Sequence, residues 1–147
     1  MAVTTNWYGL GLKYLLETPA NLATGTLKLA LVTNAYTPNR DTHDFRNDFT
    51  ANEVAAGNGY STGGATVTGG AWSYDATSQQ VRFDVADISW TFTASKTWRY
   101  GVLYIDTAGA DSTDPVIALL TWDADQTVST AYTLQIDAAG LLYLDVT

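Results

Sequence analysis

From Thr26 onward, apolar and polar positions alternate with the short period of β-strands. In Gln80–Val85, Val81, Phe83 and Val85 fall on one face, and Gln80, Arg82 and Asp84 on the other. Ser89 and Thr91 separate Ile88, Trp90 and Phe92 in the same way, and Thr133 and Gln135 separate Tyr132, Leu134 and Ile136. Each run reads as a half-buried strand. Leu27–Val32, Tyr100–Ile105 and Val116–Trp122 are apolar on both faces, which predicts central strands or strands covered on their second side. Asp137–Ala138–Ala139–Gly140 places turn formers between Tyr132–Ile136 and a last run carrying Leu142, Leu144 and Val146, the pattern of a closing β-hairpin. Short strands punctuated by Gly, Asp, Asn, Ser and Thr predict a mainly β fold. The expected form is an antiparallel β-sandwich, jelly-roll-like or barrel-like, in one domain spanning residues 1–147.

Two segments depart from this alternation. Over residues 6–17, Trp7, Leu10 and Tyr14, with Tyr8, Leu12 and Leu15, recur at helical spacing and form a broad apolar stripe. Gly9 and Gly11 each cost about 1 kcal/mol against alanine inside a helix. This helix therefore needs a surface to dock on, its own sheet before another subunit, and Pro19 ends it. Residues 34–64 form the longest irregular stretch, rich in Asn, Asp, Thr and Gly, and loops of that length in compact domains are functional or ordered by contacts. Tyr36, Phe45, Phe49 and Tyr60 recur through it, either as pins to the body or as anchors of a contact surface. As partner-binding anchors these four come first, and the helix face with Trp7 and Tyr8 comes second.

Composition narrows the function classes. Seven basic against fifteen acidic side chains leave a formal charge of −8, which repels a phosphate backbone and argues against nucleic-acid binding. The absence of cysteine excludes disulfides and thiolate metal sites. The N-terminal residues lack the basic and apolar regions of a cleaved signal, and no apolar run reaches membrane-spanning length, so a soluble protein is expected.

The stretch Gly57–Asn58–Gly59–Tyr60–Ser61–Thr62–Gly63–Gly64 contains GYSTG, a literal G-x-S-x-G motif. That motif works only as a sharp turn from a strand into a helix. Gly64–Gly70 is too rich in glycine and β-branched residues for a helix, and the single histidine, His43, precedes Ser61 where the hydrolase order places it last. His43 lies in Asp41–Thr42–His43–Asp44–Phe45, where Asp41 or Thr42 could cap a helical turn, and a lone histidine is no transition-metal signal. Asp106, Asp111 and Asp114 share a loop, and Asp123 and Asp125 share a strand face, but no calcium-loop run is present. No catalytic, cofactor-binding or metal-ligating residues are assigned. Of the five tryptophans, Trp90 and Trp122 lie on apolar strand faces and read as core.

Nearly the whole chain resembles a family of small virion proteins of tailed bacteriophages. The carrying stretches are Asn6–Trp7–Tyr8–Gly9, Leu29–Thr33 leading into Ala35–Tyr36–Thr37–Pro38–Asn39, Asp41–Thr42–His43–Asp44–Phe45, Ala51–Asn52–Glu53–Val54, Gly59–Tyr60 and Gly63–Gly64–Ala65, Trp98–Tyr104, and Leu119–Asp123. Order and spacing carry the resemblance, since no single stretch is a chemical signature. It implies a non-enzymatic structural component of the particle, at the capsid surface, the neck or the tail fibres. A single β domain without a coiled coil or repeat array has no shaft to extend a fibre, which favours a capsid decoration (cement) protein on the outer head surface. The alternative is a fibre or neck component, including a glycan-binding adhesin. The expected partners are the major capsid protein or other virion structural proteins, together with further copies of the chain as a homo-oligomer, a trimer first. Neither nucleic acid nor membrane is expected as a partner, and the location is a virion assembled in the host cytoplasm.

Overall fold

A computed structural model describes residues 2–17, 22 and 24–146. Among the described residues the strands are β1 (Val3–Trp7), β2 (Leu27–Val32), β3 (Ala65–Val67), β4 (Ala71–Asp75), β5 (Gln80–Asp84), β6 (Ile88–Thr91), β7 (Lys96–Ile105), β8 (Val116–Val128), β9 (Ala131–Leu134) and β10 (Leu142–Asp145). One α-helix, α1 (Gly9–Glu17), follows β1. Every pairing is antiparallel. A five-stranded sheet in the order β1-β8-β7-β2-β3 faces a three-stranded sheet, β10-β5-β4, and a two-stranded one, β6-β9. The fold is mainly β and sandwich-like.

Residues with apolar character on both faces lie where the expectation put them. Leu27, Leu29 and Leu31 of β2 point into the inner core with Phe83, Ile88, Trp90, Leu134 and Leu142 of the opposing sheets, while Ala30 and Val32 point to the outer face. Val102 and Tyr104 of β7 and Leu119 of β8 extend that outer face, which Tyr8, Tyr36 and Phe49 cover. The five-stranded sheet is therefore buried on both sides, and its three central strands lose the alternation a half-exposed strand would keep. A break in register between β7 and β8 leaves Ile117 without a partner, so consecutive Ile117 and Ala118 both face the inner core. At the centre of that core Trp98 meets Phe92, Trp122 and Tyr132 with ring centroids 5.8, 6.1 and 5.0 Å away.

The structure corrects two expectations at the ends of the chain. The N-terminal helix begins at Gly9, because Asn6 and Trp7 belong to β1, which pairs with β8 from Val3↔Trp122 to Trp7↔Ala118. Its docking surface is its own sheet: Gly11 sits directly on the Val116 carbonyl and the Ile117 backbone, an approach that any Cβ would prevent. Pro19 lies outside the described residues. The closing hairpin does not form. Asp137 and Gly140 make the expected turn, joined by a 2.8 Å hydrogen bond, but β9 pairs with β6 and β10 with β5, so this turn passes the chain from one small sheet to the other. No helix among the described residues is long and apolar enough to cross a membrane.

Candidate functional site

The loop over residues 34–64 carries most of the polar side chains singled out above, and its geometry is set by what they bond. Asn39 starts it. Its side-chain oxygen accepts the backbone N–H groups of Asp41 (3.1 Å) and Thr42 (3.2 Å), so Asn39 organises this turn, in place of Asp41 or Thr42. The turn presents His43 to Tyr36: Nδ1 lies 2.7 Å from the Tyr36 hydroxyl, which lies 2.8 Å from the buried Tyr8 hydroxyl. Burial pushes the Tyr36 phenol up to about 12 and raises Tyr8 further, its bond to Tyr36 adding to the effect. Asp48 then accepts the N–H groups of Asp44 and Phe45, which fixes the next turn of the loop.

A second cluster pins the far end. Arg46 donates to Asp111 Oδ1 at 2.6 Å and pairs with Glu53 Oε2 at 3.4 Å, its guanidinium 5.4 Å from the centre of the Tyr104 ring. Burial alone would lower the Arg46 pKa, but Tyr104, Asp111 and Glu53 outweigh it and hold the group above its ordinary value. Glu53 Oε1 accepts the Tyr60 hydroxyl at 2.9 Å and the Gly63 N–H, while the Tyr104 hydroxyl donates to the Gly63 carbonyl at 2.8 Å. Tyr60 in turn accepts the Leu31 N–H of β2 at 3.0 Å. Burial first, and the Glu53 carboxylate second, raise the Tyr60 phenol. The loop is thus clamped to the outer part of the five-stranded sheet by groups that spend their charges and hydrogen bonds on each other.

The motif around Ser61 takes its place in this clamp. Ser61 is exposed, its carbonyl accepts the Gly64 N–H at 2.9 Å, and the chain then runs into β3 with no helix following. The hydrogen bonds of His43 run to Tyr36 and to Asn39, and none joins it to Ser61. The acidic residues are likewise engaged. Asp106 pairs with Lys28 at 2.8 Å, and that hydrogen bond leads the causes holding its carboxyl below the usual range. Asp114, almost fully buried, accepts the N–H and hydroxyl of Thr107. Asp125 accepts Asn34 at 2.7 Å and faces Arg99, while Asp123 reaches the Ala2 N–H. Among the described residues no three His, Cys, Asp or Glu side chains converge as a metal ion requires.

The aromatic anchors need correction. Tyr8, Tyr36, Phe49 and Tyr60 are 0–3 % exposed and belong to the core, so they hold the loop and the junction between β1 and α1 to the sheet and present nothing to a partner. Phe45 and Trp7 stay half-buried. Phe45 lines a groove of about 170 Å³ with Leu10, Tyr14 and Pro115. Trp7 donates its indole N–H to the Tyr143 carbonyl at 2.9 Å and borders a wider groove beside Arg40. The large exposed rings lie elsewhere: Trp72, Tyr74 and Tyr143, all on the three-stranded sheet. A signal for the first two was present in the sequence, since Ala71–Trp72–Ser73–Tyr74–Asp75 alternates between Gly69–Gly70 and the turn formers Thr77–Ser78. The Arg46–Glu53 clamp had no such signal, because loop residues that meet only in the folded state follow no period. No family model, no curated protein and no solved structure matches the chain.

Proposed function

We propose that the chain is a non-enzymatic structural protein of a tailed-bacteriophage virion, decorating the outer surface of the head. The observation that carries this reading is how the ionisable groups of the long loop are used. Arg46, Glu53, Tyr60, Tyr36 and His43, together with Asp111 from the neighbouring loop, are joined to one another or to backbone, which makes the loop a rigid part of the body and spends on structure the hydroxyl–base pairs it contains, while Ser61 stays apart from His43. A rigid acidic β body with partly exposed apolar side chains is built to bind. The resemblance of the chain to small virion proteins supplies the setting. The particle-facing surface is assigned to the groove between α1 and the loop, where Leu10, Tyr14, Phe45 and Pro115 meet beside the charged Lys13, Glu17 and Asp44.

The test uses purified chain added to heads that lack it. Co-sedimentation with the heads is the expected result, and Phe45→Ala combined with Leu10→Ala, both in the groove, should weaken it by about 2 kcal/mol, the size of an interface hot spot, while circular dichroism stays unchanged. A chain that does not co-sediment with any head, neck or tail preparation would defeat the virion reading. Normal binding by the folded double variant would move the contact away from this groove.

A further inference from the structure

The three-stranded sheet ends in an open edge. Val146 N–H bonds to the Gln79 carbonyl and Leu141 N–H to that of Phe83, so Gln79, Val81 and Phe83 direct their backbone groups toward β10. The intervening Gln80, Arg82 and Asp84 must then bond β4 at Asp75, Ser73 and Ala71, their register partners. It follows that the N–H and C=O of Trp72 and Tyr74 point away from the sheet, and among the described residues no strand pairs with that side of β4. Trp72 and Tyr74 share one face of the strand and are 41 % and 59 % exposed. Natural edges are normally blunted by Lys, Pro or a bulge. This edge carries none of them, and its one acid, Asp75, is tied to Arg82 at 2.9 Å.

We propose that β4 pairs antiparallel with β4 of a second copy, about a two-fold axis through Ser73. The segment is self-complementary in that register. Trp72 faces the partner copy's Tyr74, and Tyr74 its Trp72, in two hydrogen-bonded pairs that use the outward N–H and C=O groups of both strands. Ser73 meets Ser73 at the axis, and Ala71 meets Asp75 at each end, so no two like charges oppose one another. The cross-strand Trp–Tyr contacts form twice on the same face. From ring sizes and present exposure the seam covers on the order of 500 Å² in total, below the roughly 1,200 Å² of a stable interface. The contact is therefore weak between free copies. Each copy carries a net charge of −8, so added salt should strengthen it. The inference stands on the sheet edge alone and does not depend on the virion reading.

The chain has no cysteine, so single cysteines report the register cleanly. Opposed residues of a non-hydrogen-bonded antiparallel pair have Cα atoms about 4.5 Å apart, within disulfide range. Under mild oxidation Ser73→Cys should give a covalent dimer at least about tenfold faster than Thr77→Cys on the exposed turn. Sedimentation equilibrium should show a monomer–dimer equilibrium that Tyr74→Pro abolishes. Proline is tolerated there because the N–H it removes faces outward. Should that variant misfold, Ser73→Glu opposes two like charges at the axis and should abolish the dimer, while within its own copy it faces Arg82, an opposite charge, across the β5 pairing. Three results would overturn the proposal: a monomer at every concentration with equal cross-linking of the two cysteines, a trimer without Ser73→Cys cross-linking, or quenching of Trp72 by a neutral glycan while the chain stays monomeric.

Discussion

Gly64 is held at φ +83° with its Cα against the Leu29 carbonyl of β2. A side chain there is both sterically excluded and conformationally strained, so Gly64→Ala should destabilise the fold by at least about 2 kcal/mol, measurable by urea denaturation. This explains the glycine-rich stretch around Ser61 without hydrolysis, since part of its glycine content is demanded by close approach of the loop to the sheet. The motif's missing strand-turn-helix context was legible in the sequence, from the β-branched residues that follow Ser61. That Tyr60 would lie beneath the loop and bridge Leu31 to Glu53 was not legible, because the same ring suits a buried pin and an exposed anchor, and only the three-dimensional course of the chain decides between them.

At the level of elements, the periodicities placed β2, β5, β6 and the core of β7 and β8 correctly, because a strand facing one core must alternate and a strand between two layers must not. Pairing was less legible than position. A turn followed by an alternating run reads as a hairpin, yet the turn over Asp137–Gly140 connects two different sheets, a choice made by the distant strands β5 and β6. β1 escaped notice because Trp7 and Tyr8 fit the stripe of the helix that follows. The loop divides into pins and surface at the same scale. Phe49, 0 % exposed against Tyr104, should cost about 3–5 kcal/mol when replaced by alanine. Phe45→Ala, at a half-buried position, should cost well under half as much, and comparing the two midpoints in denaturant checks the division.

For the whole molecule, the buried phenols set an alkaline limit. Tyr8, Tyr36, Tyr60 and Tyr104 all have pKa values raised from the ordinary 10.0 chiefly by burial, Tyr36 to about 12. A raised value means that the folded state holds the proton more tightly than the unfolded chain. The stability this contributes is fully present below pH 10.0 and is lost as the pH climbs through the folded values. Alkaline titration should therefore show the phenolate absorbance of these residues appearing together with the loss of the β-sheet circular dichroism signal, and ionisation of all four in a still-folded chain would contradict the packing described. The pairing of Val3 with Trp122 has a consequence for biosynthesis. The first strand leaves the ribosome long before β8 exists, so the five-stranded sheet closes only after most of the chain has been translated. Such non-local pairing places folding in the slow, millisecond-to-second class, with the apolar β2 and α1 segments unshielded until β8 has emerged.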